Sequence, residues 1–405
     1  MKGTLCKICT GCGRCTGDSA GLFVLTESAF MKGTDQGKNC ANRDYVLVDI
    51  GTTTVAMVLL GRDGEAKDTF LRVNPQAEYG ADVLSRILAA QDKTAAARMR
   101  QLIREVLKEG LCRFRRLLPA DSNIRMILAA NTTMTYLLLG HDTEKLGRAP
   151  FTAEYLQGVE TQIEGVDCYI FPGISAFVGG DILSGMYGIG MLENEEITLL
   201  VDLGANGELV LGNKEKRICC STAAGPAFEG GVSKGIWGAD MVSLVARLLR
   251  EGIVDETGLL ADAFFEEGVR IGNVCVTQQA IRQLQLAKAA IATGMELLIR
   301  EYGVSMKQID RVILSGGLGY YLKPEDAVLI GLLPGELLGK STAGGNTALV
   351  GAARLAFACP DEEHFRQQNH ILQNAATVTR TIPIPENPEF EELFLKRINL
   401  GLCFD

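Results

Sequence analysis

A chain of 405 residues with 47% hydrophobic content is long enough for two full lobes and a small appendage. Its net charge of −9 argues against a nucleic-acid surface, which needs basic patches. An apolar run of ~18 residues is absent, so no membrane span is expected; the N-terminus lacks the apolar core of a signal peptide, and a cytoplasmic protein is expected.

Residues 1–43 form a distinct piece, rich in cysteine and glycine, with only short apolar runs such as Leu22-Phe23-Val24-Leu25. Such a stretch buries little core alone, so a metal centre would explain its order. Cys6, Cys9, Cys12 and Cys15 lie within ten residues. This spacing favours a [4Fe–4S] cluster, with zinc and free thiols or a disulfide as alternatives. The fourth spacing is two residues rather than the three of bacterial ferredoxins, and Thr16 rather than Pro follows. Cys40 is either a replacement for Cys15 as fourth ligand or a loop thiol. Cys112, Cys168, Cys275 and Cys359 read as reduced core thiols. The only histidines are His141, His364 and His370, which argues against a His-rich metal site or a Ser-His-Asp triad.

From Tyr45 the pattern changes. Val46 to Ile50 and Val55 to Leu60 read as buried strands, with a turn at Arg62-Asp63-Gly64-Glu65 and a third strand near Thr69. Asp82 to Leu117 is helical in pattern, broken near Asp92. A strand over Ile124 to Ala130 leads to a helix over Thr132 to Leu139, and Val178 to Met191 reads as a further helix. The second half repeats this order. Strands are expected at Thr198 to Leu203, Glu208 to Leu211 and Arg217 to Ser221. Helices follow at Ala239 to Glu251 and Val276 to Glu301, then a strand at Val312 to Ser315 and a helix at Asn346 to Ala358. The reading is an α/β protein built on a duplicated β-β-β-α-β-α unit. Its expected parts are an iron–sulfur segment at 1–43, lobe I at 44–195, lobe II at 196–345, and C-terminal helices returning to lobe I over 346–405.

The two strand-turn pairs carry the chemistry. Asp49-Ile50-Gly51-Thr52-Thr53-Thr54 and Asp202-Leu203-Gly204-Ala205-Asn206-Gly207-Glu208 each place Asp near a strand tip, followed by a glycine turn. Asp49 and Asp202 suit the waters of Mg²⁺. Gly51, Gly204 and Gly207 would let backbone amides approach phosphate, and Thr52, Thr53, Thr54 and Asn206 would donate hydrogen bonds to it. Gly316 and Gly317, after Ser315, would let a purine or ribose lie against bare backbone. Asp181, near a helix start, is placed to orient an attacking water, or is a carboxylate favoured by the helix dipole. Glu208 and Glu229 are read as cleft hydrogen-bonders. Gly335-Glu336-Leu337-Leu338-Gly339-Lys340-Ser341 imitates a P-loop but has three residues between its glycines where four are required, with Pro334 at the needed glycine position.

This arrangement resembles the superfamily of acetate and sugar kinases, heat-shock chaperones and actin. A closer resemblance, from Tyr45 onward, is to the ATPase part of reductive activators of corrinoid proteins. It rests on Asp49-Ile50-Gly51-Thr52-Thr53-Thr54, Asn74-Pro75-Gln76, Tyr79-Gly80-Ala81-Asp82-Val83, Asn131-Thr132-Thr133-Met134 and Phe177-Val178-Gly179-Gly180-Asp181-Ile182. It continues through Asp202-Leu203-Gly204-Ala205-Asn206-Gly207-Glu208, Ala223-Ala224-Gly225-Pro226-Ala227-Phe228-Glu229-Gly230, Leu286-Ala287-Lys288-Ala289-Ala290-Ile291, Gly331-Leu332-Leu333-Pro334 and Gly345-Asn346-Thr347. Ala130 and Ala205 depart from the pattern, standing where that family often has Gly and Thr. The resemblance implies ATP binding with Mg²⁺, coupled to electron transfer from an iron–sulfur cluster to a Co(II) corrinoid protein of a methyltransferase system, with a low-potential donor upstream. Longer members carry a plant-type [2Fe–2S] domain and linking domains; this sequence reads as a compact version. A small-molecule kinase and a nucleotide-gated, redox-sensing interaction protein are the other readings. Oligomeric state stays open, a homodimer included.

Overall fold

The apolar run Tyr45-Val46-Leu47-Val48 is buried on both faces, as a strand must be when it lies inside a sheet. In the computed structural model, which describes residues 43–204, 206–222, 224–225, 238–272, 274–316, 322–359 and 361–401, this run lies in β1 (Asp44–Ile50). The calls on Cys6, Cys9, Cys12, Cys15, Cys40, Ala205, Glu229 and Gly317 lie outside the described residues. The chain divides into two units. The first holds the described residues of Phe23–Leu192 and Asn346–Thr379, and the second those of Glu193–Gly345 and Arg380–Asp405.

In the first unit β1 pairs antiparallel with β2 (Thr54–Leu60), which pairs with β3 (Ala66–Val73). On its other side β1 runs parallel to β4 (Ile124–Ala130). A hairpin of β5 (Val159–Ile163) and β6 (Val166–Ile170) completes the sheet, whose order is β3-β2-β1-β4-β6-β5. The break expected near Asp92 is present. Asp82 caps α1 (Val83–Ala89) and Asp92 caps α2 (Lys93–Arg115), each carboxylate accepting a backbone N–H of the first turn. Buried Met99, Ile103, Leu107, Leu111 and Phe114 of α2 recur at helical spacing and join the sheet's core. The helices α3 (Thr132–Leu139) and α4 (Gly180–Gly188) follow.

The second unit repeats the plan. Central β7 (Thr198–Leu203) pairs antiparallel with β8 (Gly207–Gly212), which pairs with β9 (Arg217–Thr222). Between them and the next strand of the sheet come α5 (Gly238–Arg250), the short hairpin β10 (Val269–Ile271) and β11 (Val274–Val276), and α6 (Gln278–Tyr302). Then β12 (Arg311–Ser315) runs parallel to β7; after α7 (Pro324–Leu329), β13 (Ser341–Gly345) runs parallel to β12. With β14 (Arg380–Thr381) the order is β13-β12-β7-β8-β9-β14. The series β3-β2-β1-β4-β6 and β9-β8-β7-β12-β13 are the same topology twice, so the duplication read from the sequence is present in the fold.

The C-terminal stretch divides rather than returning whole. The helices α8 (Thr347–Ala358) and α9 (Glu362–Val378) belong to the first unit, whereas β14 and α10 (Phe390–Ile398) belong to the second. Within the first unit α8 lies hard against α4. A Cβ at Gly351 would sit 1.8 Å from the Ser184 carbonyl oxygen, so only glycine allows this approach. In the second unit α10 is fixed to α6 by buried Arg397, whose Nη2 donates to Glu296 at 2.7 Å. Lys288 of α6, fully buried, donates to the Asn399 carbonyl at 2.6 Å, and burial and the Arg397 charge push its amine down to about 7. Of the cysteines read as core thiols, Cys168 and Cys359 are buried. Cys112 is exposed, because it lies on the outward face of α2, and Cys275 is half-buried. Among the described residues no helix is long and apolar enough to cross a membrane.

Candidate functional site

Asp49 is the penultimate residue of β1, and the turn after it closes where Gly51 N–H donates to the Thr54 carbonyl at 2.9 Å. The Gly51 amide is therefore engaged inside the turn. Three asparagines hold this hairpin, all in the first unit. Asn74 Nδ2 donates to the Gly51 carbonyl at 2.8 Å, and its backbone N–H donates to the Thr53 carbonyl at 2.8 Å. Asn131 Nδ2 donates to Thr52 Oγ1 at 3.1 Å. Asn346 Nδ2 donates to Asp49 Oδ2 at 2.7 Å.

These asparagines share one design. Each caps the helical turn that follows it, its side-chain oxygen accepting a backbone N–H: Gln76 at 3.0 Å, Met134 at 2.9 Å and Leu349 at 2.9 Å respectively. With the oxygen committed to its own helix, the amide nitrogen is left to face the hairpin. Three helix starts thus converge on one turn. Thr52, Asn131 and Asn74 are buried, so the underside of the turn is fixed. A fourth helix start joins them, since a Cβ at Gly179 would lie 2.5 Å from Asn131 Cα. That contact places Asp181, in the first turn of α4, close in sequence to the same cluster. Asp181 Oδ1 accepts the Ile182 N–H at 2.9 Å.

In the second unit Asp202 is the penultimate residue of β7, matching Asp49 in β1. Its turn is one residue shorter: Gly204 N–H donates to the Asn206 carbonyl at 3.0 Å. Asp202 stands opposite Glu208 on β8 and beside Ser315 on β12. Ser315 Oγ donates to Asp202 Oδ2 at 2.7 Å. Burial pushes the Asp202 carboxyl above the ordinary 3.8, with the Ser315 hydrogen bond pulling the other way. Gly316 has φ +81°, and a Cβ there would lie 2.7 Å from Asp202 Oδ1. This glycine is thereby explained by its approach to Asp202. Gly207 is a packing position, where a Cβ would meet Thr222 Oγ1 at 2.7 Å and Ile291 Cγ1 at 2.8 Å.

The structure gathers Asp49, Gly51, Thr52, Thr53 and Thr54 around one hairpin of the first unit, and Asp202, Gly204, Asn206, Gly207, Glu208 and Gly316 around one hairpin of the second. Sequence reasoning assigned no role to Asn74, Asn131 or Asn346, although Asn ahead of an apolar helical run is a cap signal. It read Ser315 as part of a nucleoside platform, and the structure shows its hydroxyl on Asp202. The P-loop imitation is a 3₁₀ helix, Gly335–Lys340, that follows α7 and precedes β13, so no strand feeds it. Among the described residues no group of three or more His, Cys, Asp or Glu side chains gathers as a metal-ligand set.

Residues 45–194 match the model of the RACo middle region, and 196–234 and 232–401 match that of the C-terminal domain of RACo, the ASKHA domain. The chain belongs to the RACo family. Among RACo relatives it is 26% identical to the "Corrinoid activation enzyme RamQ" of Eubacterium limosum, over 88% of this chain and 70% of that one. It is 24% identical to the "[Co(II) methylated amine-specific corrinoid protein] reductase" of Methanosarcina barkeri, over 76% and 69%. A solved structure described as "Reductive activator for corrinoid,iron-sulfur protein" superposes with a TM-score of 0.78 at 28% identity, covering 89% of this chain and 66% of that one. The chain spans about two thirds of the length of these relatives. The duplicated α/β architecture expected from the sequence is thus that of an ASKHA ATPase.

Proposed function

We propose that this RACo-family chain is a reductive activator that uses ATP to return the cobalt of a corrinoid protein from Co(II) to Co(I). The observation that carries the reading is the pair of strand-end carboxylates, each held by a donor from its own unit, in a chain of this family. The named activities of the relatives supply the corrinoid protein as partner. Asp49 and Asp202 would each suit the waters of Mg²⁺, a cation that is usually bound through one or two carboxylates and several waters. Thr53, Thr54 and Asn206 would bind phosphate oxygens, Thr52, buried, would brace their turn through Asn131, and Asp181 would orient the attacking water.

Cys6, Cys9, Cys12 and Cys15, with Cys40 as an alternative fourth ligand, suit a [4Fe–4S] cluster, which supplies a one-electron, low-potential reductant when bound. A low-potential donor would supply its electrons, in a cytoplasmic setting. ATP drives the step because reduction of Co(II) is uphill; for one electron a factor of ten in equilibrium corresponds to about 59 mV.

The test is Mg²⁺-dependent ATP hydrolysis by anaerobically prepared protein. Asp49→Ala and Asp202→Ala should each lower turnover by roughly 10²-fold or more, the range for losing a charge-stabilising group. Their visible absorbance should stay intact. Unchanged turnover in both variants would make the hairpins structural, and phosphorylation of a metabolite without cobalt reduction would make the protein a kinase.

A further inference from the structure

Asp49 and Asp202 occupy matching places, but their neighbours differ. Beside Asp202 on the parallel strand stands Ser315, which donates to it; beside Asp49 on β4 stands Ala129, which cannot. A donor to Asp49 comes instead from a position 297 residues away, Asn346 at the cap of α8. Its side-chain oxygen is committed to the Leu349 N–H, so the amide can present only its nitrogen to Asp49.

We propose that Asn346 is a positioning residue of Asp49, its hydrogen bond fixing the rotation of the carboxylate that would hold a hydrated divalent cation. This rests on the reading of Asp49 as a Mg²⁺–ATP group given above. The cap and the carboxylate contact are separable by substitution. Serine caps a helix nearly as well as asparagine but is too short to replace the amide nitrogen. Aspartate also caps, but offers Asp49 an acceptor where asparagine offers a donor.

The experiment compares wild type, Asn346→Ser, Asn346→Asp and Asn346→Ala as full chains prepared anaerobically, reading Tm and the kcat and KM for Mg²⁺–ATP. Asn346→Ser should keep the wild-type Tm yet lose about 10- to 100-fold in kcat/KM, the range for removing a hydrogen bond to a charged group. Asn346→Asp should likewise lose kcat/KM, because it caps the helix without supplying a donor to Asp49. Wild-type kcat/KM in Asn346→Ser or in Asn346→Asp overturns the proposal while leaving the ATPase reading intact. Loss confined to Asn346→Ala, in Tm and activity together, reduces Asn346 to a helix cap and overturns it equally. A wild-type protein that neither binds nor hydrolyses Mg²⁺–ATP removes the ATPase reading and this proposal with it.

Discussion

At the scale of single residues, Asp202 carries a cost that can be measured. Its carboxyl lies above the ordinary 3.8 because burial disfavours the charged form. The folded protein therefore binds this proton more tightly than the unfolded chain does. The stabilisation is fully present below about pH 4 and is lost as pH rises through the raised folded value. Asp202→Asn, which cannot ionise and can still accept from Ser315, should melt above the wild type at pH 7, with the difference shrinking toward pH 4. A wild-type-like Tm across that range would show that the carboxylate is solvated at no cost. Asp49 and Asp202 were legible in sequence because Asp before a glycine turn, twice, in matching places of a repeated pattern, has few structural explanations. Their donors were less so. Asn346 shows its cap function locally, but its contact with Asp49 spans 297 residues and appears only in the folded chain.

At the scale of elements, the approach of α4 to α8 depends on glycine. Gly351→Ala would drive a methyl into the Ser184 carbonyl, and overpacking of this kind costs about 1–3 kcal/mol or more. Gly339→Ala meets nothing within 4 Å and should stay within about 0.5 kcal/mol of wild type. Urea denaturation of the two variants tests the contrast; equal stability would mean that the helices separate freely. The strands β1, β2, β7 and β8 were readable because central strands are continuous apolar runs broken by turn residues. The β5–β6 hairpin was missed. Its turn is Glu164-Gly165, with φ +50° and +74°, and a glutamate in the left-handed region is uncommon. Here Arg104 Nε pairs with that glutamate at 2.8 Å, a partner not visible from the local sequence. The bounds of α9, one of the helices expected over 346–405, were not legible, since only Phe365, Leu372, Ala375 and Ala376 are buried along its length, too few for a clear period.

At the scale of the whole molecule, the repeated topology explains why one chain carries two strand-end carboxylates, and the family places that architecture among corrinoid activators. If ATP and cobalt reduction are linked through the partner, the linkage is reciprocal: the corrinoid protein must change ATP affinity as ATP changes affinity for the corrinoid protein. The most direct measurement is an anaerobic visible spectrum of a Co(II) corrinoid protein mixed with this protein and a low-potential reductant, with Mg²⁺–ATP, without it, and with Asp49→Ala in place of wild type. The account predicts conversion to Co(I) with wild type and ATP together, and little in the other two mixtures. Equal conversion without ATP, or with Asp49→Ala, would contradict it.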